Sequence, residues 1–188
     1  MDAHARTLRR LLLRSGSEQA RALDWDALFQ DELPRVFNFF RYRLADRDTA
    51  HDLTATTFER AWRQRHHFDP QQAQPGTWLL GIARNVWREY VRGREREYRR
   101  LAPLEAASIQ SSPSHLIERL VAAEEQARLR ALLAQLPDRE QELIALKYGA
   151  GLTNRQIAAL TGLSESNVGT ILHRTVRKLR RQWEETNG

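Results

Sequence analysis

Between Glu165 and Arg181 the sequence ESNVGTILHRTVRKLRR writes two chemistries onto one helical stripe. Val168, Ile171, Leu172, Val176 and Leu179 recur at helical spacing, so the opposite side presents Glu165, Ser166, Asn167, Thr170, His173, Arg174 and Arg177. Short polar side chains at the N-terminal end of such a helix can hydrogen-bond the edges of base pairs in a major groove. The later cations, Arg174, Arg177 and Lys178, can hold phosphates. Arg174 to Arg181 contains five Lys or Arg and no acid. A second group with nucleic-acid chemistry lies upstream: Arg84, Asn85, Arg88, Arg92 and Arg96 recur on the polar side of one periodic stretch. The loop before it offers His66, His67, Phe68, Asp69 and Gln71. Cations beside aromatic and polar loop residues suit unstacked bases rather than paired ones.

Charge follows the same division. The 188 residues carry a net +6, yet Arg84 to Arg100 alone sets seven Arg against three Glu. With Arg174 to Arg181, that concentrates positive charge in two places, as two contacts with a polyanion require. A membrane surface is the competing polyanion. No apolar run approaches the ~20 residues of a spanning helix, and neither basic segment is a clean amphipathic surface helix, so no membrane insertion is expected. The absence of Cys removes disulfides, thiolate metal sites and thiol switches, and is compatible with a reducing cytosol. His66 and His67 are neighbours whose side chains diverge, so no metal site is read. GAGLTN, from Gly149, puts Asn154 where a dinucleotide loop needs glycine, and its lead-in is helical. No catalytic constellation and no cofactor emerge.

The elements that must position these residues are helical throughout. Thr153 with Gln156 spells a capping box, with Leu152 and Ile157 as a hydrophobic staple. Thr161-Gly162 ends that helix, Ser164 caps the next, and Leu163 and Val168 repeat the staple. Two helix starts this close make a helix-turn-helix; an ordinary helical hairpin with a solvated cationic face would not need both caps. Upstream, Trp25 to Leu44 places Trp25, Leu28, Phe29, Leu33, Val36, Phe37 and Phe40 inward, with Pro34 expected to break or bend the run. Asp48 to Arg65 buries Leu53, Thr57, Phe58, Ala61 and Trp62. Thr77 is the expected cap of a long helix burying Trp78, Leu79, Ile82, Val86 and Tyr90. Trp62, Trp78, Ile82 and Val86 read as core. LAPLEAASIQSSPSH then has little charge or periodicity and marks a boundary. Leu116 to Leu136 forms a polar amphipathic helix, and Pro137-Asp138 starts another that runs to Tyr148. The fold class is therefore all-α: two small helical domains joined by a flexible linker, the second ending in the helix-turn-helix.

Three segments, DLTATTFERAW (Asp52 to Trp62), WLLGIARNVWREYVR (Trp78 to Arg92) and LPDREQELIALKYGAGLTNRQIAALTGLSESNVGTILHRTVRKLR (Leu136 to Arg180), in this order and spacing, resemble the bacterial sigma-70 family. The resemblance is specifically to the small two-domain group called extracytoplasmic-function (ECF) sigma factors. The resemblance implies an N-terminal extension at 1–23, a domain at 24–100 that binds polymerase and the minus-ten element, a linker at 101–115, and a domain at 116–183 that reads the minus-thirty-five element. It implies a non-enzymatic cytoplasmic factor that joins core RNA polymerase, through the clamp of the largest subunit and the flap of the second largest, and opens promoter DNA. An anti-sigma factor is the further partner it implies. Polymerase contact falls on the helix holding Asp52, Leu53, Phe58 and Trp62. Minus-ten contact, with capture of a flipped base in the loop, falls on His67, Phe68, Asp69, Gln71, Asn85, Arg88 and Arg92. Where the family usually has an acid, Gln and Glu around the clamp-binding helix, this chain has His51, Ala55 and Thr56, so some polar contacts to polymerase are missing; Glu89 replaces the usual Asp. Two rival classes are a helix-turn-helix regulator that binds duplex without joining polymerase and, more distantly, a recombinase-like enzyme.

Overall fold

The structure is a computed structural model that describes residues 24–101 and 117–185, with side chains of the second segment from Glu125 onward. The expected extension, 1–23, and all but the first residue of the expected linker, 101–115, lie outside the described residues. Every regular element among the described residues is helical.

Helix α1 spans Trp25–Arg41 and starts where the Asp24 carboxylate accepts the Ala27 N–H at 3.1 Å. It runs through Pro34 without ending, so of the expected break or bend the break does not occur. Pro34 is exposed, and Leu28, Val36, Phe39 and Phe40 are buried on either side of it. Burial of each such side chain contributes ~1.5–3 kcal/mol, enough together to offset the ~3 kcal/mol of an interior proline. Phe29 and Leu33, expected inside, are 46% and 37% exposed, while Phe39 takes the interior position.

The corner after α1 is closed by Arg41, which donates to the carbonyls of Leu44 and Ala45 at 3.1 and 2.8 Å. Helix α2, Arg47–Gln64, then starts on Asp46, whose carboxylate accepts the Thr49 hydroxyl and backbone N–H. Those hydrogen bonds, the hydroxyl's first, hold the Asp46 carboxyl below the usual carboxylate range. A 3-10 turn, Arg65–His67, leads to the loop before helix α3, Pro75–Leu101. The start is Pro75 rather than Thr77, because a proline at the first helical position needs no N–H and has its φ preset. Trp78 already donates to the Gln74 carbonyl at 3.0 Å. The 27 residues of α3 extend ~40 Å.

In the second half, α4 covers Ile117–Ala134 and α5 covers Asp138–Ile144. A π-helical turn, Ala145–Gly149, replaces the end of the helix expected to reach Tyr148. Helices α6, Asn154–Thr161, and α7, Glu165–Glu185, complete the chain.

The buried apolar side chains of the two halves, expected to form separate domains, belong to one cluster. Phe39, Phe40, Leu79 and Val86 from the first half belong to the same buried cluster as Leu143, Ile144, Leu146 and Ile157 from the second. Arg35 Nε donates to the Ala150 carbonyl across this seam at 2.7 Å. At Gly149 the two halves approach so closely that a Cβ would lie 2.9 Å from the Asn38 carbonyl oxygen and 3.1 Å from the Tyr42 ring. Gly149→Ala should therefore destabilise the chain by ~1–3 kcal/mol, because backbone must move to admit the methyl. Gly93 sits within α3 with nothing near its missing Cβ. Gly93→Ala should stabilise by about 0.5–1 kcal/mol through helix propensity. Equilibrium denaturant unfolding of both variants checks the contrast.

Candidate nucleic-acid interface

The helix-turn-helix is built by local hydrogen bonds. Gln156 N–H donates to Thr153 Oγ1 at 3.2 Å, and Thr153 N–H donates to Gln156 Oε1 at 2.9 Å. These are the two reciprocal bonds of the capping box. Leu152 and Ile157 are both buried beneath it. Gly162, at φ 77°, ends α6 in the left-handed region that favours glycine. Ser164 Oγ then accepts the Asn167 N–H at 3.2 Å and starts α7. Val168 and Leu172 are buried, which fixes the rotation of α7.

As a result Glu165, Ser166, Asn167, Thr170, His173, Arg174 and Arg177 are all exposed on α7, while Lys178 is half-buried. The Thr170 hydroxyl donates to the Ser166 carbonyl at 3.0 Å, so its proton is occupied and a lone pair and the methyl remain for a ligand. Thr175, also on α7, is buried with no partner for its hydroxyl. Periodicity gave no sign of that.

The upstream face is less uniform. His67 and Gln71 are exposed, but Phe68 is half-buried with its ring 5.2 Å from Trp78. The Asp69 carboxylate accepts the Gln71 N–H at 2.9 Å and the Gln72 side-chain amide at 3.0 Å. Phe68 thus anchors the loop and Asp69 shapes its turn, two tasks hidden by the polar, aromatic composition. Asn85, Arg88 and Arg92 form an exposed stripe along α3. Glu89 beside them pairs with Arg60 of α2 at 2.6 Å, and that hydrogen bond holds its carboxyl below the usual range. Arg84 departs from the expected stripe: it is 7% exposed, bonds Glu142 of α5 at 2.8 Å through Nε, and donates to the Leu160 carbonyl of α6. Gln71 and Asn85 line a cleft of about 900 Å³ whose far wall is Arg155, Gln156 and Leu160.

A separate surface lies on α1 and α2. Asp52, Ala55, Glu59 and Trp62 recur on one exposed stripe of α2. Trp62, read from sequence as core, is 50% exposed, its ring meeting Trp25 edge-on at 5.2 Å and carrying the Arg65 guanidinium at 4.1 Å. With Phe29 and Leu33 it makes an apolar patch that periodicity alone reads as core. Leu53 and Phe58, expected to touch polymerase, are buried at 9% and 7% exposure. They face the interior, with the Phe58 ring edge-on to Phe29 of α1 at 4.8 Å, so they hold the helix and leave its opposite face exposed.

Sequence comparison agrees with this two-part layout. The family model Sigma-70 region 2 matches residues 28–97. The model Sigma-70, region 4 matches residues 126–179. This chain belongs to the sigma-70 family. Among its relatives, the ECF RNA polymerase sigma factor SigM of Bacillus subtilis (strain 168) is 28% identical over 158 residues, covering 82% of this chain and 92% of the relative. BldN of Streptomyces coelicolor, also an ECF sigma factor, is 30% identical over 169 residues, covering 87% and 63%. In fold, the chain is similar to the sigma factor RpoE solved with the anti-sigma factor NepR from Bartonella quintana, with TM-score 0.69, 21% identity, and 86% and 97% coverage. CnrH in complex with the cytosolic domain of CnrY gives TM-score 0.65, 22% identity, and 89% and 94% coverage.

Exposure along α7 generates a test of how this sigma factor divides its contacts. Arg174→Ala should weaken promoter binding equally on all sequences and reduce the salt slope by about one counterion. Asn167→Ala should instead relax preference at one base pair, costing ~1–3 kcal/mol if the amide bridges an adenine. Footprinting on single-base promoter variants at several salt concentrations separates the two. An unchanged preference at every position removes Asn167 from the reading set.

Proposed function

We propose that this ECF sigma factor assigns its tasks to the faces described above. The first half docks on the clamp of core RNA polymerase through the exposed α2 stripe, Asp52 and Trp62, extended by Phe29 and Leu33 of α1. It holds the opened minus-ten strand with His67, Gln71, Asn85, Arg88 and Arg92, on a loop built by Phe68 and Asp69. The second half reads the minus-thirty-five duplex with Glu165, Ser166, Asn167 and Thr170, and grips phosphates with His173, Arg174, Arg177 and Lys178. It also meets the polymerase flap. The chain performs no chemistry of its own and works in the cytoplasm, restrained by an anti-sigma factor, a reading supported by the RpoE neighbour, which is paired with the anti-sigma factor NepR.

The observation that carries this reading is the pairing of a helix capped at Ser164 and exposed along its polar face with an aromatic patch that no described part of the chain covers. A duplex-binding regulator needs the first feature and not the second. Mixing the chain with bacterial core polymerase is the test: a sigma factor forms a stoichiometric complex and starts transcription on a selected promoter, whereas a regulator shifts duplex DNA alone.

Trp62→Ala should weaken core binding by about 2 kcal/mol, ~30-fold, as for a central aromatic anchor. The duplex affinity of the isolated chain should stay unchanged. Replacing His67 and Gln71 together by Ala should leave core binding intact and lower permanganate reactivity of promoter thymines. Equal opening by this variant and the parent would make the loop a mere connector.

A further inference from the structure

Beside the corner that joins α1 to α2, three arginines converge with no acid among them. Arg41 ends α1, Arg47 begins α2, and Arg130 comes from α4. Together they line a cavity of about 610 Å³, and no carboxylate lines it with them. Among the described residues, none of the three makes an ion pair. Asp46 acts on Arg41 from outside the cavity, and its carboxylate is already occupied by the Thr49 hydroxyl and N–H. Burial first, and then the charges of Arg130 and Arg47, push Arg41 below the ordinary arginine value. Like charges gathered in a partly buried place are unfavourable until an anion joins them.

Arg41 is nevertheless held in place. Through Nη1 it donates to the Leu44 and Ala45 carbonyls, which leaves Nε and Nη2 for a ligand. Arg47 lies over the Phe37 ring at 6.0 Å, and the same ring stacks on His51 at 4.4 Å, so both neighbours hold the aromatic wall of the cavity.

We propose that this cavity binds a small anion carrying linked phosphates, either a diphosphate or a nucleoside diphosphate. Guanidinium groups are planar forks that hold phosphate oxygens in pairs, and three of them suit the several oxygens and charges of linked phosphates. The volume falls within the ~300–1,000 Å³ of small-molecule sites. Leu129 and Leu133 supply an apolar surface, and the Asn38 and Gln126 amides supply donors and acceptors that a nucleoside can use. No residue of α3 or α7 lines the cavity, so it is separate from both nucleic-acid faces. Such a site is independent of how the chain reads a promoter.

Isothermal titration of the full chain with pyrophosphate, ADP, GDP, AMP and sulfate tests the site. Pyrophosphate, ADP or GDP should bind at least about tenfold tighter than AMP or sulfate, because linked phosphates engage more than one guanidinium. Tighter binding of ADP or GDP than of pyrophosphate places a nucleoside on the Leu129 wall; equal binding identifies the diphosphate itself as the ligand. The Arg47→Gln/Arg130→Gln double variant should weaken this binding at least about tenfold. Arg41 is left intact because it closes the corner. Neither replaced side chain makes a hydrogen bond among the described residues, so the helical circular dichroism should persist. If the double variant fails to fold, Arg130→Lys, which keeps the charge and loses the fork, should still weaken diphosphate binding. Equal affinity for sulfate and diphosphate, no binding of any probe at about 1 mM, or unchanged affinity in the variants overturns the site. Loss of single-stranded DNA binding in the double variant, with no diphosphate bound by the parent, also overturns it and gives the arginines to nucleic acid.

Discussion

Two guanidinium groups share one carboxylate at the centre of this molecule, and the relation between its halves depends on that arrangement. Removing Arg43 and Arg84 from water is costly, and the burial of Arg43 pushes its pKa below the ordinary arginine value despite Asp138 and Glu142. Arginine remains charged regardless, so each group must find a counter-charge in place. Buried ion pairs of this kind add little net stability over apolar packing, yet they penalise every misaligned arrangement severely. A slide of α5 by one turn would leave a guanidinium unpaired inside the seam. The cluster therefore sets the register of the two halves, while the apolar contacts among Phe39, Leu143 and Leu146 supply the adhesion.

What could be read from the sequence divides along the same physical line. Features set by neighbours within four residues were legible: the Thr153–Gln156 box, the left-handed Gly162 and the Ser164 cap follow from side-chain reach and backbone sterics. Their consequence, the outward face of α7, was legible with them. Pro34 and Thr77 show where local rules lose. At Pro34 flanking burial outweighs a missing hydrogen bond, and at Thr77 a proline two residues earlier makes the better helix start. Arg84 was read correctly as polar and wrongly as solvent-facing, since its partner lies 58 positions away and periodicity reports polarity without naming a counter-charge.

The aromatic residues of the first half expose a deeper ambiguity. A helical stripe that faces a core and one that faces a partner protein have the same composition, because both exclude water. Phe29, Leu33 and Trp62 therefore looked interior, and only the packing of α1 against α2 and α3 shows that Phe39 and Phe58 fill the inside. The reverse holds for Leu53 and Phe58, which family resemblance assigns to polymerase contact. Buried beneath α2, they support the helix whose opposite face exposes Asp52 and Trp62. Family motifs record that a position matters; burial decides whether it touches the partner.

The exposed face of α7 is set by contacts other than those that join the two halves. Helix α7 takes its rotation from Val168 and Leu172 and its start from Ser164, all within the second half. Contact with the first half is made by α5, α6 and the π-helical turn, through Asp138, Glu142, Leu160 and Ala150. The π-helical turn sits where α5 passes Asn38, and its extra residue per turn admits the close approach at Gly149. The exposed polar face of α7 and the contacts across the seam thus lie on different helices of the second half.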